Sequence, residues 1–255
     1  MSQIELRDVE KVYNSEVVAV DGVTATIESG EFVSILGPSG CGKSTLLFMI
    51  GGFIERTDGD ILVEGETVHE PGPDRGMVFQ ESVLYPWLTV EDNIGWGLKI
   101  QGVPRDERRE AVQEFISMIG LEGFEEAYPS ELSGGMQQRA AMARVLVSNP
   151  NVLLMDEPFG ALDAQTREVM QNELLDIWQR TGQTCVFVTH SIDEALFLSD
   201  RVLVLTARPA SIKLEVDLTE FERPRDSSLK QSEAFRSRRE EVWQTLQEEV
   251  AIAEP

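Results

Sequence analysis

The stretch "EFVSILGPSGCGKSTLLFMI", residues 31–50, decides how the rest of the chain is read. Glu31 to Leu36 has the composition of a buried strand, and Ser44 to Ile50 that of a helix stopped by Gly51 and Gly52. Between them, Gly37-Pro38-Ser39-Gly40-Cys41-Gly42-Lys43-Ser44-Thr45 fits G-x-x-x-x-G-K-[ST], after a strand and opening a helix. Glycines in that setting let backbone N–H groups curl around phosphates. Lys43 then reaches the outer phosphates, and the Ser44 hydroxyl can ligate Mg²⁺.

Outward from this loop, short apolar runs alternate with segments of helical spacing. Val152-Leu153-Leu154-Met155, Cys185-Val186-Phe187-Val188 and Val202-Leu203-Val204-Leu205 read as further strands. Strand, crossover helix and strand repeated in this way predict an α/β fold, a mostly parallel sheet of the P-loop NTPase kind. Gly59 to Val68 reads instead as a hairpin, an antiparallel β addition. From about Pro86 to Pro150 the alternation breaks. Thr89 with Asp92 makes a capping-box pattern, and residues 104–119 place Ala111, Val112, Phe115, Ile116 and Ile119 on one face, with Gly120 as a stop. This predicts a helical subdomain, about 86–150, inserted in a domain of residues 1–230. Residues 231–255 form a charged, helix-prone tail with Val242, Leu246 and Val250 at four-residue spacing. The expected role of that tail is to pack on its own domain.

A phosphate loop needs a carboxylate for its metal. The strand at Val152 to Met155 delivers Asp156 and Glu157 at its C-terminal end, the edge where ligands collect in an open α/β sheet. Asp156 is suited to hold Mg²⁺ through water, while Glu157 can point at an attacking water. "SELSGGMQQRA", residues 130–140, raises a further question. Ser133, Gly134 and Gly135 lead into a helix, whose free N–H groups and positive dipole end attract anions, yet no lysine accompanies them.

Composition narrows the partners. The chain has 255 residues, 45 acidic against 22 basic, and a formal net charge of -23. Nucleic acid and anionic lipid both need basic patches, so the balance argues against either as a main partner. Two readings of the acidity stand side by side: a soluble face that repels itself, or adaptation to a high-salt cytoplasm. No apolar run approaches the length needed to cross a bilayer, and Glu5, Asp8 and Glu10 leave no basic-then-apolar secretion pattern, so a cytoplasmic location is expected. Cys41 and Cys185 lie in different settings, which makes a stapling disulfide improbable.

With these residues in view, the chain resembles the ATP-binding subunits of ABC transporters over nearly its whole length. The phosphate loop, "LSGGM" at 132–136, "LLMDEP" at 153–158, "ALD" at 161–163 and "VTH" at 188–190 occur in that family's order and spacing. The resemblance implies ATP and Mg²⁺ as the bound species and assigns roles by position. Tyr13, ahead of the first strand read above, resembles the aromatic that stacks on adenine. Gln80, after Gly76-Met77-Val78-Phe79, resembles the glutamine that touches Mg²⁺ and the attacking water, which Glu157 polarises. His190 resembles the histidine that contacts the γ-phosphate, and Asp163 the aspartate linking the two nucleotide sites. The same resemblance implies pairing with a second copy or a paralogous ATPase subunit, head to tail around two ATPs. Ser133, Gly134 and Gly135 then complete the γ-phosphate site of the opposing copy.

A cleft beside Gln80 would receive a short helix from a transmembrane permease, placing the chain peripherally on the cytoplasmic face of the cell membrane. An extracytoplasmic solute-binding protein would complete the complex. "FQESVLYPWLTVEDNI", residues 79–94, and the "GGM" signature are similar to the branch that imports nitrate, sulfonates and taurine, and "EPFGALDAQTR" at 157–167 fits importers more broadly. Ser191 after His190 is a departure, since relatives often have Asp there. Another importer solute, such as a pyrimidine precursor, and an exporter remain the alternatives. A chromosome-organising ATPase would carry long coiled coils, and a ribosome-associated one two units and a basic surface. A non-hydrolysing role is disfavoured because every catalytic position is kept.

Overall fold

Ile4–Tyr13 and Val17–Ile27 form a long antiparallel pair, β1 and β2, in the computed structural model, which describes residues 4–226 and 228–253. Ile4, Leu6 and Val9 are buried, but the register shifts between Leu6 and Val9, where Asp8 has φ +51°. Such an irregularity breaks the period of two that betrays a strand. Tyr13 is therefore the last residue of β1, not a residue ahead of the first strand.

The quoted stretch forms β3 (Phe32–Leu36) and α1 (Lys43–Ile50). β4 (Asp58–Val63) and β5 (Glu66–Thr67) make the hairpin, and β4 also pairs antiparallel with β1, giving a sheet in the order β2-β1-β4-β5. Then come β6 (Arg75–Val78), α2 (Val90–Ile100), α3 (Arg105–Met118) and α4 (Gly134–Leu146). They are followed by β7 (Val152–Asp156), α5 (Ala164–Thr181), β8 (Thr184–Val188) and α6 (Ile192–Leu198). The chain closes with β9 (Arg201–Leu205), β10 (Ile212–Asp217) and α7 (Glu233–Ala253).

Contacts divide these elements into two compact units. The first comprises the chain up to Arg75, Asn151–Asp156 and everything from Gly182 onward. Its main sheet runs β10-β9-β3-β8-β7, with β9, β3, β8 and β7 mutually parallel and β10 antiparallel at the edge. Every residue of β3, β7 and β8 is buried, which explains why these strands read as continuous apolar runs and not as alternations. Each Val, Leu or Ile so buried contributes roughly 1.5–3 kcal/mol of transfer free energy. Because parallel strands share a direction, β3 and β7 bring Gly37 and Asp156 to the same edge.

The second unit comprises Gly76–Pro150 and Glu157–Thr181, so α5 belongs with the helices α2 to α4. Val90, Ile94, Val112, Ile116, Ala140 and Met142 are buried within it. Thr89 caps α2 by accepting the Asp92 N–H at 3.2 Å, and Gly120 follows α3 with φ +61°.

The tail helix α7 lies on α6, β9 and β10 of the first unit. Its buried residues are Phe235, Val242 and Glu249, at seven-residue spacing, whereas Val250 is exposed. The contact seam is thus narrower than the face Val242-Leu246-Val250 that the sequence suggested. Glu249 accepts the Ala207 N–H at 2.8 Å and pairs with Lys213 at 3.1 Å. Ahead of the helix, buried Arg225 donates to the carbonyls of Phe197, Ser199 and Leu218, closing the C-terminal end of α6. Burial, the larger cause, and Arg223 lower its pKa to about 10.

The scarce lysines are all engaged. Lys11 lies over the Tyr13 ring, Lys99 over Trp96 and Lys230 over Phe197, Lys213 pairs with Glu249, and Lys43 sits in the phosphate loop. The acidic excess is therefore left to repel itself across the surface. Unfolding midpoints in urea are expected to rise as KCl goes from about 0.1 to about 1 M, where the screening length falls from roughly 10 to 3 Å. A midpoint indifferent to KCl would show that self-repulsion does not limit the stability and would end the high-salt reading of the charge.

Candidate active site

The phosphate loop is shaped by what a side chain would hit. A Cβ on Gly42, at φ +128°, would stand 2.6 Å from the Ala19 carbonyl of β2 and 3.1 Å from Ala210 Cβ. Only glycine lets the loop pass this close. Two further contacts hold the same place together: the Asp21 N–H donates to the Ala210 carbonyl at 3.0 Å, and the Ala210 N–H to the Ala19 carbonyl at 3.0 Å. Tyr13 pairs with Val17, two residues from Ala19, so the aromatic expected against adenine stands within about 7 Å of strand rise from the loop's support. Ser39 and Gly40 are exposed at the crest, while Pro38, Cys41 and Lys43 are buried. Burial also raises the pKa of the Cys41 thiol.

Lys43 Nζ donates to the carbonyls of Gly37 and Pro38, at 2.9 Å each. The Ser44 hydroxyl donates to Asp156 Oδ1 at 3.0 Å, across 112 residues of sequence. These two oxygens are the pair that the sequence nominated for the metal, and α1 and β7 bring them together. Asp156 is 3% exposed. Among the described residues no cluster of three or more His, Cys, Asp or Glu could cage a metal ion. One carboxylate plus one hydroxyl fits a hard cation that keeps its waters and leans on phosphate oxygens, the habit of Mg²⁺.

His190 is exposed, two residues beyond β8. The turn that holds it is tied by Ser191 together with Thr189 and Glu194, to which the sequence reading gave no role. Thr189 donates to buried Glu194 at 2.6 Å and accepts the Ser191 N–H at 3.0 Å. Ser191 caps α6 by accepting the Glu194 N–H at 3.3 Å. Serine caps a helix about as well as aspartate, so the departure at 191 leaves this turn intact.

In the second unit, Glu157 takes φ +44° and its carbonyl accepts the Gly160 N–H at 3.1 Å. A left-handed non-glycine residue costs on the order of 1–3 kcal/mol, and such strain clusters at functional sites. Ser133 is the N-cap of α4, accepting the Met136 N–H at 3.3 Å. A Cβ on Gly134 would meet nothing within 4 Å, and one on Gly135 would stand 3.5 Å from Leu162. The helix start therefore faces open space on one side and the "ALD" turn on the other. There Asp163 caps α5, holding the N–H groups of Thr166 and Gln165, and these bonds lower its carboxyl pKa. Gln80 lies exposed two residues past β6.

Arg139 was missed as a site residue. From one turn into α4 its guanidinium donates to the Ile119 carbonyl at the end of α3; burial lowers its pKa, and the charge of Asp163 opposes that in part. It fastens the start of the signature helix to its own unit. Only "SGGMQQR" itself hinted at it, since the partner is a carbonyl 20 residues upstream.

A glycine loop that cradles phosphates at the carboxyl edge of a parallel sheet, with Ser44 and Asp156 joined beside it, defines a nucleotide-binding α/β domain of the P-loop class. A family profile described as "ABC transporter" matches residues 20–160. An uncharacterized ABC transporter ATP-binding protein of Methanocaldococcus jannaschii is 49% identical over 97% of this chain and 92% of its own length. The nitrate import ATP-binding protein of Synechocystis sp. is 45% identical over 97% and 93%. The taurine import ATP-binding protein of Rhizobium johnstonii is 48% identical over 90% and 89%. Among solved structures, the post-hydrolysis dimer of the ATP-binding cassette MJ0796 with ADP and Pi superposes with a TM-score of 0.76. It is 34% identical, over 84% of this chain and 98% of that one. The chain belongs to the ABC transporter family, as an ATP-binding and ATP-hydrolysing subunit.

Proposed function

We propose that the chain is the engine of an importer for a small anion such as nitrate, a sulfonate or taurine, acting at the cytoplasmic face of the membrane. The observation that carries the ATPase half is the 3.0 Å bond joining Ser44 to Asp156 beside the phosphate loop. The importer half rests on the nitrate and taurine import relatives. No helix among the described residues is long and apolar enough to cross a membrane, so the reading gives the bilayer crossing to permease subunits. An extracytoplasmic binding protein supplies solute to them.

In this reading the N–H groups of residues 39–45 and the Lys43 ammonium hold the β- and γ-phosphates. Ser44, Asp156 and Gln80 would hold Mg²⁺, which neutralises charge building on the phosphates. Glu157 orients and polarises the attacking water, His190 steadies the γ-phosphate, and Tyr13 stacks on the base. A second copy, or a paralogous subunit, lays Ser133, Gly134 and Gly135 over the same γ-phosphate. Asp163 then lies beside the contact between the two sites.

Reconstituted with its permease and binding protein in vesicles, the complex is expected to hydrolyse ATP only with Mg²⁺. One anion among nitrate, alkyl sulfonates and taurine should stimulate it several-fold. Stimulation by a pyrimidine precursor instead would replace the solute class, and stimulation without any binding protein would favour export.

A further inference from the structure

Behind the phosphate loop runs the turn that joins β9 to β10, and it presses on the loop at both ends. A Cβ on Gly37 would stand 3.3 Å from the Cβ and the carbonyl oxygen of Leu205, and one on Gly42 would stand 3.1 Å from Ala210 Cβ. The turn is closed on itself. The Thr206 N–H donates to the Ser211 carbonyl at 2.9 Å, the Ser211 N–H to the Thr206 hydroxyl at 2.9 Å, and that hydroxyl to the Pro209 carbonyl at 2.7 Å. On one side Ala210 ties it to β2 at Ala19 and Asp21. On the other, the Ala207 N–H donates to Glu249 Oε2 of α7 at 2.8 Å. Glu249 is 3% exposed, and its Oε1 takes Lys213 at 3.1 Å. The other buried residues of the α7 seam are Phe235 and Val242. A third apolar residue would serve packing as well, since a buried carboxylate has to be compensated before it stabilises anything. What the carboxylate does that an apolar side chain cannot is hold an N–H of the turn.

From this we propose that Glu249 is a positioning residue for ATP: through the turn from Ala207 to Ala210 it fixes the wall on which Gly37 and Gly42 rest, and so sets the curl of the loop around the phosphates. The inference rests on residues 37–45 being the phosphate site and adds to it a support from the far end of the chain. Backbone N–H groups hold an anion by being aimed before it arrives, and the aim is lost when the wall behind them shifts. Glu249 lies in the tail seam and not at the loop. Its effect therefore falls on nucleotide affinity, equally in ground and transition states, and not on the chemical step.

The test is Mg-ATP binding by the full-length chain, together with KM and kcat of its complex with the permease. Glu249→Ala should raise Kd and KM about tenfold, the scale of one lost hydrogen bond, with kcat at saturating ATP within about twofold of the natural value. Glu249→Gln keeps an oxygen that can accept from Ala207 and should hold KM within about threefold. Val242→Ala loosens the same seam about 10 Å along the helix and should lower the melting temperature without moving KM. A Glu249→Ala chain that melts earlier but keeps its KM would make Glu249 a packing residue and overturn the proposal. A KM raised equally by Val242→Ala would do the same, and a glutamine variant as weak as the alanine one would put the effect on the charge and not on the bond to Ala207. Should Glu249→Ala not fold, Glu249→Asp carries the test. It keeps the charge but draws the oxygens back by one methylene, and KM must still rise about threefold or the proposal falls. Lys43→Ala separates this from the reading of the loop: normal ATP binding in that variant would remove residues 37–45 from the nucleotide site, whatever Glu249 does.

Discussion

Glu157→Gln is expected to bind ATP and turn it over about 10²–10⁴ times more slowly than the natural chain, the usual loss when a general base is removed. Glutamine keeps the size of the side chain and the turn closed by the Gly160 N–H, so the left-handed backbone at 157 is undisturbed. What it loses is the capacity to draw a proton from water. Closure without hydrolysis traps the pair, so light scattering should find an ATP-dependent dimer that persists. The neighbouring carboxylate predicts a different failure: Asp156→Asn keeps an oxygen that can accept from Ser44 but loses the negative charge offered to the metal, and should weaken Mg²⁺-dependent ATP binding itself. A Glu157→Gln rate within a few-fold of the natural one, measured with Mg²⁺ and the permease, would remove Glu157 from the chemistry.

The second large effect concerns the lysine-free anion turn. Ser133→Arg should leave ATP binding by the single chain intact and abolish dimer closure and hydrolysis. Ser133 is exposed, and the cap it gives to α4 is worth about 1 kcal/mol, too little to unfold a domain. Gly134 opens onto empty space, so the residues at this helix start are not kept small by their own chain. In the proposed shared site, that openness admits a nucleotide held by a second copy. A mixing experiment isolates the idea. Chains with Ser133→Arg and chains with Lys43→Ala are each inactive alone, but a mixed pair contains one site with both defects and one with none. Hydrolysis regained on mixing supports a shared site; none regained, with mixed pairs demonstrated by cross-linking, would count against it.

The parts of this molecule legible in its sequence are those whose signal is local. The loop at 37–45 announces itself by spacing, and β3, β7 and β8 by unbroken apolar runs that only burial on both faces can reward. The strand β1 was illegible because the bulge at Asp8 interrupts its alternation, and with it went the correct setting of Tyr13. Gln80, His190 and Asp163 are assigned only through resemblance, since a lone glutamine, histidine or aspartate after a strand or before a helix has no spacing of its own to read. Arg139, Thr189 and Glu194 escaped altogether. Their partners are a carbonyl 20 residues away and each other, and such bonds exist only once the turns are folded. The φ of +44° at Glu157 is likewise a property of the fold, invisible in "DEPFG".

The seam of the tail helix carries a consequence for where this chain can be cut. Trp243 and Val250, on the outer face of α7, are 41% and 42% exposed and lie outside that seam. Phe235, Val242 and Glu249 are its buried residues, and shortening the chain at residue 230 would strand the buried Ala207 N–H and uncover the apolar surface beneath Phe235 and Val242. An expression clone trimmed to the nucleotide-binding motifs would therefore start life with that seam open and the Ala207 N–H unpaired.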